Sequence, residues 1–312
     1  MLFDDSSSRA SASASGPVKP AAESHGVDRR GFFRTLGVVG AGVALAGETP
    51  AAEQLDDPFG VLVDTTQCVG CRTCEKECAK AHGLAVPEGG YRTTTSDQQL
   101  SIIQHHESTD PRVDMGVVFV KRQCMHCLQP ACASACLTKA LYKSPDGPVV
   151  WRASKCMGCR YCMVSCPFDM PKAEFDSATP RIMKCDLCAD RVAEGKQPVC
   201  VESCGASALT FGRRSLLVEE AHKRIAESPE VYVHHIYGER EAGGTSWLYL
   251  AATEFDKLGF AQDLERVTYP SLTKEFLYGV PVVLTLVPPL LLAISNATRP
   301  AFAPEGGEHG SH

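Results

Sequence analysis

An α+β chain, assembled in tandem from four copies of a strand, a cysteine loop, a short helix and a second strand, is the architecture to expect from three observations. All 16 cysteines of the 312 residues lie between Cys68 and Cys204. Within that span one spacing recurs four times, each copy preceded by a short β-prone segment. Outside it the chain carries one uncharged apolar stretch near each end. Aromatic residues are only 7% of the chain, so much of the cysteine-rich segment must be held together through sulfur. A domain built on a hydrophobic core alone is excluded. The formal charge of −6, from 31 Lys+Arg against 37 Asp+Glu, argues against a nucleic-acid partner.

The chain opens with Ser-, Ala- and Pro-rich sequence over residues 1–27, without apolar periodicity, which reads as a disordered leader. Asp28-Arg29-Arg30-Gly31-Phe32-Phe33-Arg34 follows, and then an uncharged Gly/Ala-rich run from Thr35 to Gly47. Paired arginines, two aromatics and a weakly hydrophobic run make a twin-arginine export signal. Residues 1–52 are assigned to the leader and signal peptide, with cleavage after Ala46 or near Ala51 and Ala52. The run is too short to span a bilayer. Its glycine order, Gly37, Gly40, Gly42, does not fit a dinucleotide-binding loop.

The repeats come next. Cys68, Cys71, Cys74 and Cys78 follow C-x2-C-x2-C-x3-C, and Cys156, Cys159, Cys162 and Cys166 repeat it unchanged. Cys124, Cys127, Cys132 and Cys136 widen the middle gap to four residues. In Cys185, Cys188, Cys200 and Cys204 the gap grows to eleven, absorbing Ala189 to Val199 as a loop. Strands are expected at Gly60–Val63, Gly116–Val120, Val149–Trp151 and Arg181–Met183, with return strands at Ala140–Tyr142 and Ala208–Phe211. Ser144-Pro145-Asp146-Gly147 is a hairpin turn.

Three thiolates on one tight loop, with backbone N–H groups turned toward sulfur, suit three irons of a [4Fe–4S] cubane. The fourth cysteine, expected to begin the following helix, would ligate the cluster of another run. Four runs then supply four [4Fe–4S] clusters with no cysteine left over. Eight disulfides would not need four copies of a three-thiolate loop. Structural zinc prefers paired CxxC units. Covalent haem needs CxxCH, but Arg72, Leu128, Arg160 and Ala189 follow the CxxC pairs. Export of an already folded protein agrees with cofactors inserted before transport.

Toward the C-terminus, Phe276 to Ile294 is free of charge. Its length in helix is about 28 Å, close to the hydrocarbon thickness. Lys274 and Arg299 bracket it, and Phe276 and Tyr278 suit the interfacial belt. Pro281, Pro288 and Pro289 are better tolerated in a membrane helix than in a soluble one. A transmembrane helix is assigned to residues 274–297 and a disordered tail to residues 298–312.

Residues from about 60 to 215 resemble the four-cluster, ferredoxin-like electron-transfer subunits of membrane-bound oxidoreductases. The phrases that carry the likeness are Gln123-Cys-Met-His-Cys127, Lys155-Cys-Met-Gly-Cys-Arg-Tyr-Cys-Met-Val-Ser-Cys-Pro-Phe168 and Lys184-Cys-Asp-Leu-Cys188. Tyr237-Gly-Glu-Arg-Glu-Ala-Gly-Gly244 resembles the C-terminal extension of the same family. The iron–sulfur subunit of periplasmic, quinone-linked [NiFe]-hydrogenases (hydrogenase-2 type) is the nearest likeness, with the formate dehydrogenase β subunit a relative. The resemblance implies tandem, pseudo-symmetric two-cluster ferredoxin-like halves over residues 55–215 and an extension over residues 216–273.

It also implies a ligand crossing. One cluster takes Cys68, Cys71, Cys74 and Cys204, and its partner takes Cys185, Cys188, Cys200 and Cys78. The other pair takes Cys124, Cys127, Cys132 and Cys166, and Cys156, Cys159, Cys162 and Cys136. Relatives often carry proline after the fourth cysteine, but only Pro167 is present; Ala79, Leu137 and Gly205 stand at the other three positions. Their absence bears on solvent access and potential more than on ligation.

His126 lies within a cysteine loop but is not needed as a ligand. His105, His106, His234 and His235 are expected in loops rather than as haem ligands. No nucleophile–base set or carboxylate pair stands out, so the chain is expected to conduct electrons rather than catalyse. The expected partners are a catalytic subunit, the small and large hydrogenase subunits by the resemblance, an integral membrane quinone- or cytochrome-type subunit, and membrane lipid. The expected location is the periplasmic face of the cytoplasmic membrane, with a single-pass C-terminal anchor. The alternatives are service to formate dehydrogenase or another molybdopterin enzyme, and a zinc-stabilised binding protein.

Overall fold

The structure, a computed structural model, describes residues 57–177 and 179–298. The export signal, its cleavage positions and the tail from residue 299 lie outside the described residues. Strand β1 (Phe59–Asp64) is central in a three-stranded sheet of order β8–β1–β9, with β8 (Leu209–Arg213) antiparallel and β9 (Trp247–Leu250) parallel to it. A central strand covered on both faces needs an apolar run, which Val61, Leu62 and Val63 provide. The parallel register sets Val61 beside Trp247 and Val63 beside Tyr249. These four join the core that includes Cys74 and Cys200. Leu62, Leu248 and Leu250 point the other way, against Leu217 and Ala221 of α6 (Arg214–Glu227). Alternation along one strand thus separates a sulfur-side core from a helix-side core. Gly60 has to be glycine, because a Cβ there would meet the Ser246 carbonyl oxygen at 2.5 Å.

The extension is woven into this sheet, since β9 fills one edge of β1. Strands β2 (Ser101–Glu107) and β3 (Val117–Gln123) form an antiparallel pair leading into the second run. His105 and His106 therefore lie on a strand rather than in a loop, drawn there by the buried Ile102 and Ile103 just before them. Strands β4 (Leu141–Lys143) and β5 (Val149–Trp151) close on the expected turn, where the Gly147 N–H donates to the Ser144 carbonyl at 3.0 Å. Strands β6 (Lys172–Ala173) and β7 (Ile182–Met183) make a two-residue ladder.

The short helices are α1 (Thr73–Ala81), α2 (Ala131–Ser134), α3 (Tyr161–Val164), α4 (Ala189–Ala193) and α5 (Val199–Glu202). Helix α4 occupies the stretch expected to be a loop. Its sequence contains helix formers, Val192 is buried, and Gly195 ends it at φ 74°.

Helix α7 (Tyr269–Thr298) is 30 residues long, about 45 Å at the usual rise. It starts before the expected boundary because Pro270 suits a first helical turn and the Ser271 hydroxyl donates to the Thr268 carbonyl at 2.6 Å. Its apolar stretch, of mean hydropathy 2.2, has none of its length buried against the protein. It is long and apolar enough to cross a membrane, and its first residues follow Thr268, whose hydroxyl donates to Gln129 beside α2.

Candidate metal centre

Each cysteine run is shaped by the same backbone device. The residue before the second cysteine is left-handed in all four: Gly70 (φ 69°), His126 (φ 49°), Gly158 (φ 73°) and Leu187 (φ 58°). Glycine takes that conformation freely, whereas His126 and Leu187 do so at a cost. The third cysteine is then the second residue of a short helix: Cys74 in α1, Cys132 in α2, Cys162 in α3 and Cys200 in α5. Unpaired N–H groups there favour negative charge.

Contrary to the expectation from spacing, the fourth cysteine does not begin the helix. It follows the third by one helical turn, inside α1 as Cys78 or just past the helix end as Cys136, Cys166 and Cys204. In helix, four residues advance the backbone about 6 Å with slightly more than a full rotation. The two thiols thus share a face at different heights and can serve two different sites.

Two cavities display the result. One is lined by Cys68, Cys71, Cys74 and Cys204 together with Lys121. The other is lined by Cys136, Cys156, Cys159 and Cys162, with Leu141 and Trp151 among its lining. In each, three thiols come from one run and the fourth from another. Electrostatic effects of thiol on thiol mark the remaining groupings. Burial pushes Cys127 far up, and the adjacent thiols that add to the effect are Cys124, Cys166 and Cys132. Cys185 is likewise raised by burial and then by Cys78. Cys188, pushed up to about 11 by burial first, neighbours Cys200. Cys200 in turn neighbours Cys78.

Thiols of different groups act electrostatically on one another in the pairs Cys74 and Cys200, Cys185 and Cys124, and Cys132 and Cys162. The four groups therefore stand in a series. The Cys68 group is at one end and the Cys156 group at the other.

The donor set fits [4Fe–4S] clusters. All sixteen thiols are free. Burial pushes both Cys74 and Cys132 up to about 12, and iron binding would displace those protons. Cys136 is the contrary case: burial raises it, but N–H groups of Leu141 and Ala140, 3.4 and 3.2 Å from its sulfur, and the Thr138 hydroxyl hold it below the ordinary thiol value. His126 is fully buried, and its Nδ1 accepts the Val149 N–H at 2.8 Å. That leaves Nε2 to carry the proton, without a partner among the described residues, inside a loop built to face sulfur.

His234 and His235 stand apart from the cysteines, beside an open cleft where His235 bonds Glu241 at 2.7 Å. Reasoning from sequence missed Lys121, which sits on β3 three residues before Cys124. It also missed Glu75, buried beside Cys74 and paired with Arg72 at 2.8 Å. A lysine directly after the apolar run Val117–Val120 was the available signal for the first.

The 4Fe-4S dicluster domain family matches residues 115–214. A protein of Nitratidesulfovibrio vulgaris is 43% identical over 292 residues, covering 88% of this chain and 77% of that protein. The hydrogenase-2 operon protein HybA of Escherichia coli O157:H7 is 31% identical over 331 aligned positions, covering 91% of this chain and all of HybA. The protein belongs to the HybA family. A subunit of the anaerobic dimethyl sulfoxide reductase of Escherichia coli K12 is 37% identical over 161 residues, covering 73% of that subunit but only 49% of this chain. Membership makes the protein an iron–sulfur electron-transfer subunit holding [4Fe–4S] clusters.

Proposed function

We propose that this protein conducts electrons, without catalysing a reaction of its own, between a [NiFe]-hydrogenase and a quinone-linked subunit in the membrane. In this reading it works on the periplasmic face, exported by the twin-arginine route through Arg29 and Arg30 and anchored by α7. One observation carries the choice of partner. The likeness to HybA covers 91% of this chain, whereas the likeness to the dimethyl sulfoxide reductase subunit covers 49% of it.

The ligands in this reading are the four crossed groups, arranged as two pseudo-symmetric halves over residues 55–215. Bound clusters supply the one-electron redox chemistry. The protein's residues do the rest. The left-handed residues Gly70, His126, Gly158 and Leu187 curl each loop around its three thiols. Val61, Val63, Trp247 and Tyr249 exclude water from the sulfur-side core. The helical spacing of third and fourth cysteines ties neighbouring sites together, which keeps the distance between them short. Helix α7, whose N-terminal end lies by α2, would hold the half of the series that contains Cys132 near the membrane.

Cys159→Ser, at an exposed loop of the terminal group, tests the reading in the purified membrane complex. Hydrogen-dependent quinone reduction should fail, while hydrogen-dependent reduction of an artificial dye persists upstream. Survival of both activities would refute conduction along this route. A molybdopterin enzyme co-purifying in place of hydrogenase would refute the partner.

A further inference from the structure

Lys121 is 2% exposed, among the most deeply buried charged side chains described. Its ammonium donates to Ser101 Oγ, and to Gln123 Oε1 at 3.2 Å, and lies 5.1 Å from the centre of the Trp247 ring. Among the described residues no carboxylate comes within ion-pair distance of it. Glu75, the buried acid on α1, is already held by Arg72. A buried, unpaired ammonium is costly, and a lysine is retained in such a place only where a counter-charge offsets it.

The surroundings indicate which charge that is. Lys121 lines the same cavity as Cys68, Cys71, Cys74 and Cys204. The thiols whose charge would act on it most strongly are Cys200, Cys74, Cys185 and Cys78, drawn from that group and the next. Four thiolates give an occupied site a net negative charge, and each reduction adds one electron with no bond broken. A fixed cation in a low-dielectric interior favours the more negative, reduced form.

We infer that Lys121 is the shared counter-cation of the Cys68–Cys71–Cys74–Cys204 and Cys78–Cys185–Cys188–Cys200 sites and raises the reduction potential of both. This rests on the ligation proposed above. Placed between neighbouring sites, the ammonium also weakens the repulsion between electrons resident on both at once. It therefore makes one end of the series electrostatically unlike the other, where the Cys156 group is bordered by the exposed Arg160, stacked on Phe175 at 4.5 Å.

The test is an EPR-monitored redox titration of the full, anaerobically purified protein, compared among wild type, Lys121→Met, Lys121→Arg and Gln123→Glu. Lys121→Met should make two clusters at least tenfold harder to reduce, a drop of ~59 mV for a one-electron couple, and leave the other two unchanged. Lys121→Arg should restore the wild-type values. Gln123→Glu keeps the lysine but sets a carboxylate against it, so it should move the same two clusters in the same direction. It decides the matter if Lys121→Met loses iron. Unchanged potentials in both neutralising variants, or an equal shift of all four clusters, would overturn the assignment. Wild-type protein with fewer than four clusters would instead overturn the ligation reading.

Discussion

Replacing Cys78 by serine separates crossed from uncrossed ligation. Cys74 and Cys78 share α1, one turn apart, yet Cys74 lines the cavity with Cys68 and Cys71 while Cys78 neighbours Cys185 and Cys200. Under crossed ligation, Cys78→Ser removes a ligand from the Cys185 site and leaves the run's own loop intact. Full occupancy is about 16 irons and 16 acid-labile sulfides per molecule, so losing one site removes about four of each. Cys78 is only 6% exposed, so its serine hydroxyl would be buried, at a cost of about 1–3 kcal/mol if left without a partner. That cost is too small to unfold a domain held by three other clusters. The assay is iron and sulfide content with EPR of the dithionite-reduced full-length protein. The spectrum should lose the same component as Cys188→Ser and keep the component lost in Cys71→Ser. If it matches Cys71→Ser, the crossing is wrong.

Three more outcomes follow from the packing. Gly238→Ala places a Cβ 2.3 Å from the Trp247 carbonyl oxygen at φ 98°, and should cost about 2–5 kcal/mol in urea unfolding; an unchanged midpoint would show that the extension does not seal the core. Glu75→Leu strands Arg72 and the Ile103 N–H and should cost about 3 kcal/mol, with Arg72→Met in the same molecule recovering more than half of it; no recovery would mean the ion pair is not the cause. Removing residues 269–312 should release the protein from washed membranes with its iron content unchanged, and retention on the membrane would show that other contacts anchor it.

The cysteine spacing made the site legible because ligand chemistry tolerates little variation in loop length. The same holds for the β4–β5 turn, where Ser144 to Gly147 admits one geometry. Helix α7 was visible from hydropathy, though its start was not, because Tyr269 to Glu275 carries polar residues that only local bonding commits to helix. What escaped notice depends on distant partners. Nothing in Trp247–Leu250 announces that its neighbour is β1. Likewise the value of Lys121 depends on thiols contributed by separate runs. The fourth cysteine was assigned to the wrong end of its helix because spacing fixes separation but not where a helix starts.

The second and third runs close on each other inside the loop that joins the first to the fourth. The outer closure, Cys78 to Cys185, spans a roughly fivefold longer stretch than the inner one, Cys136 to Cys156, and costs ~1.5 kcal/mol more in chain entropy. The inner pair is therefore the easier of the two to bring together. The last seam comes later, because β1 receives its parallel neighbour β9 only from the far side of every cysteine. A nascent polypeptide still on the ribosome lacks that strand until all four runs have emerged. Sealing of the interior therefore follows emergence of all four runs and of β9, and any carrier that accepts only sealed cargo must wait for it.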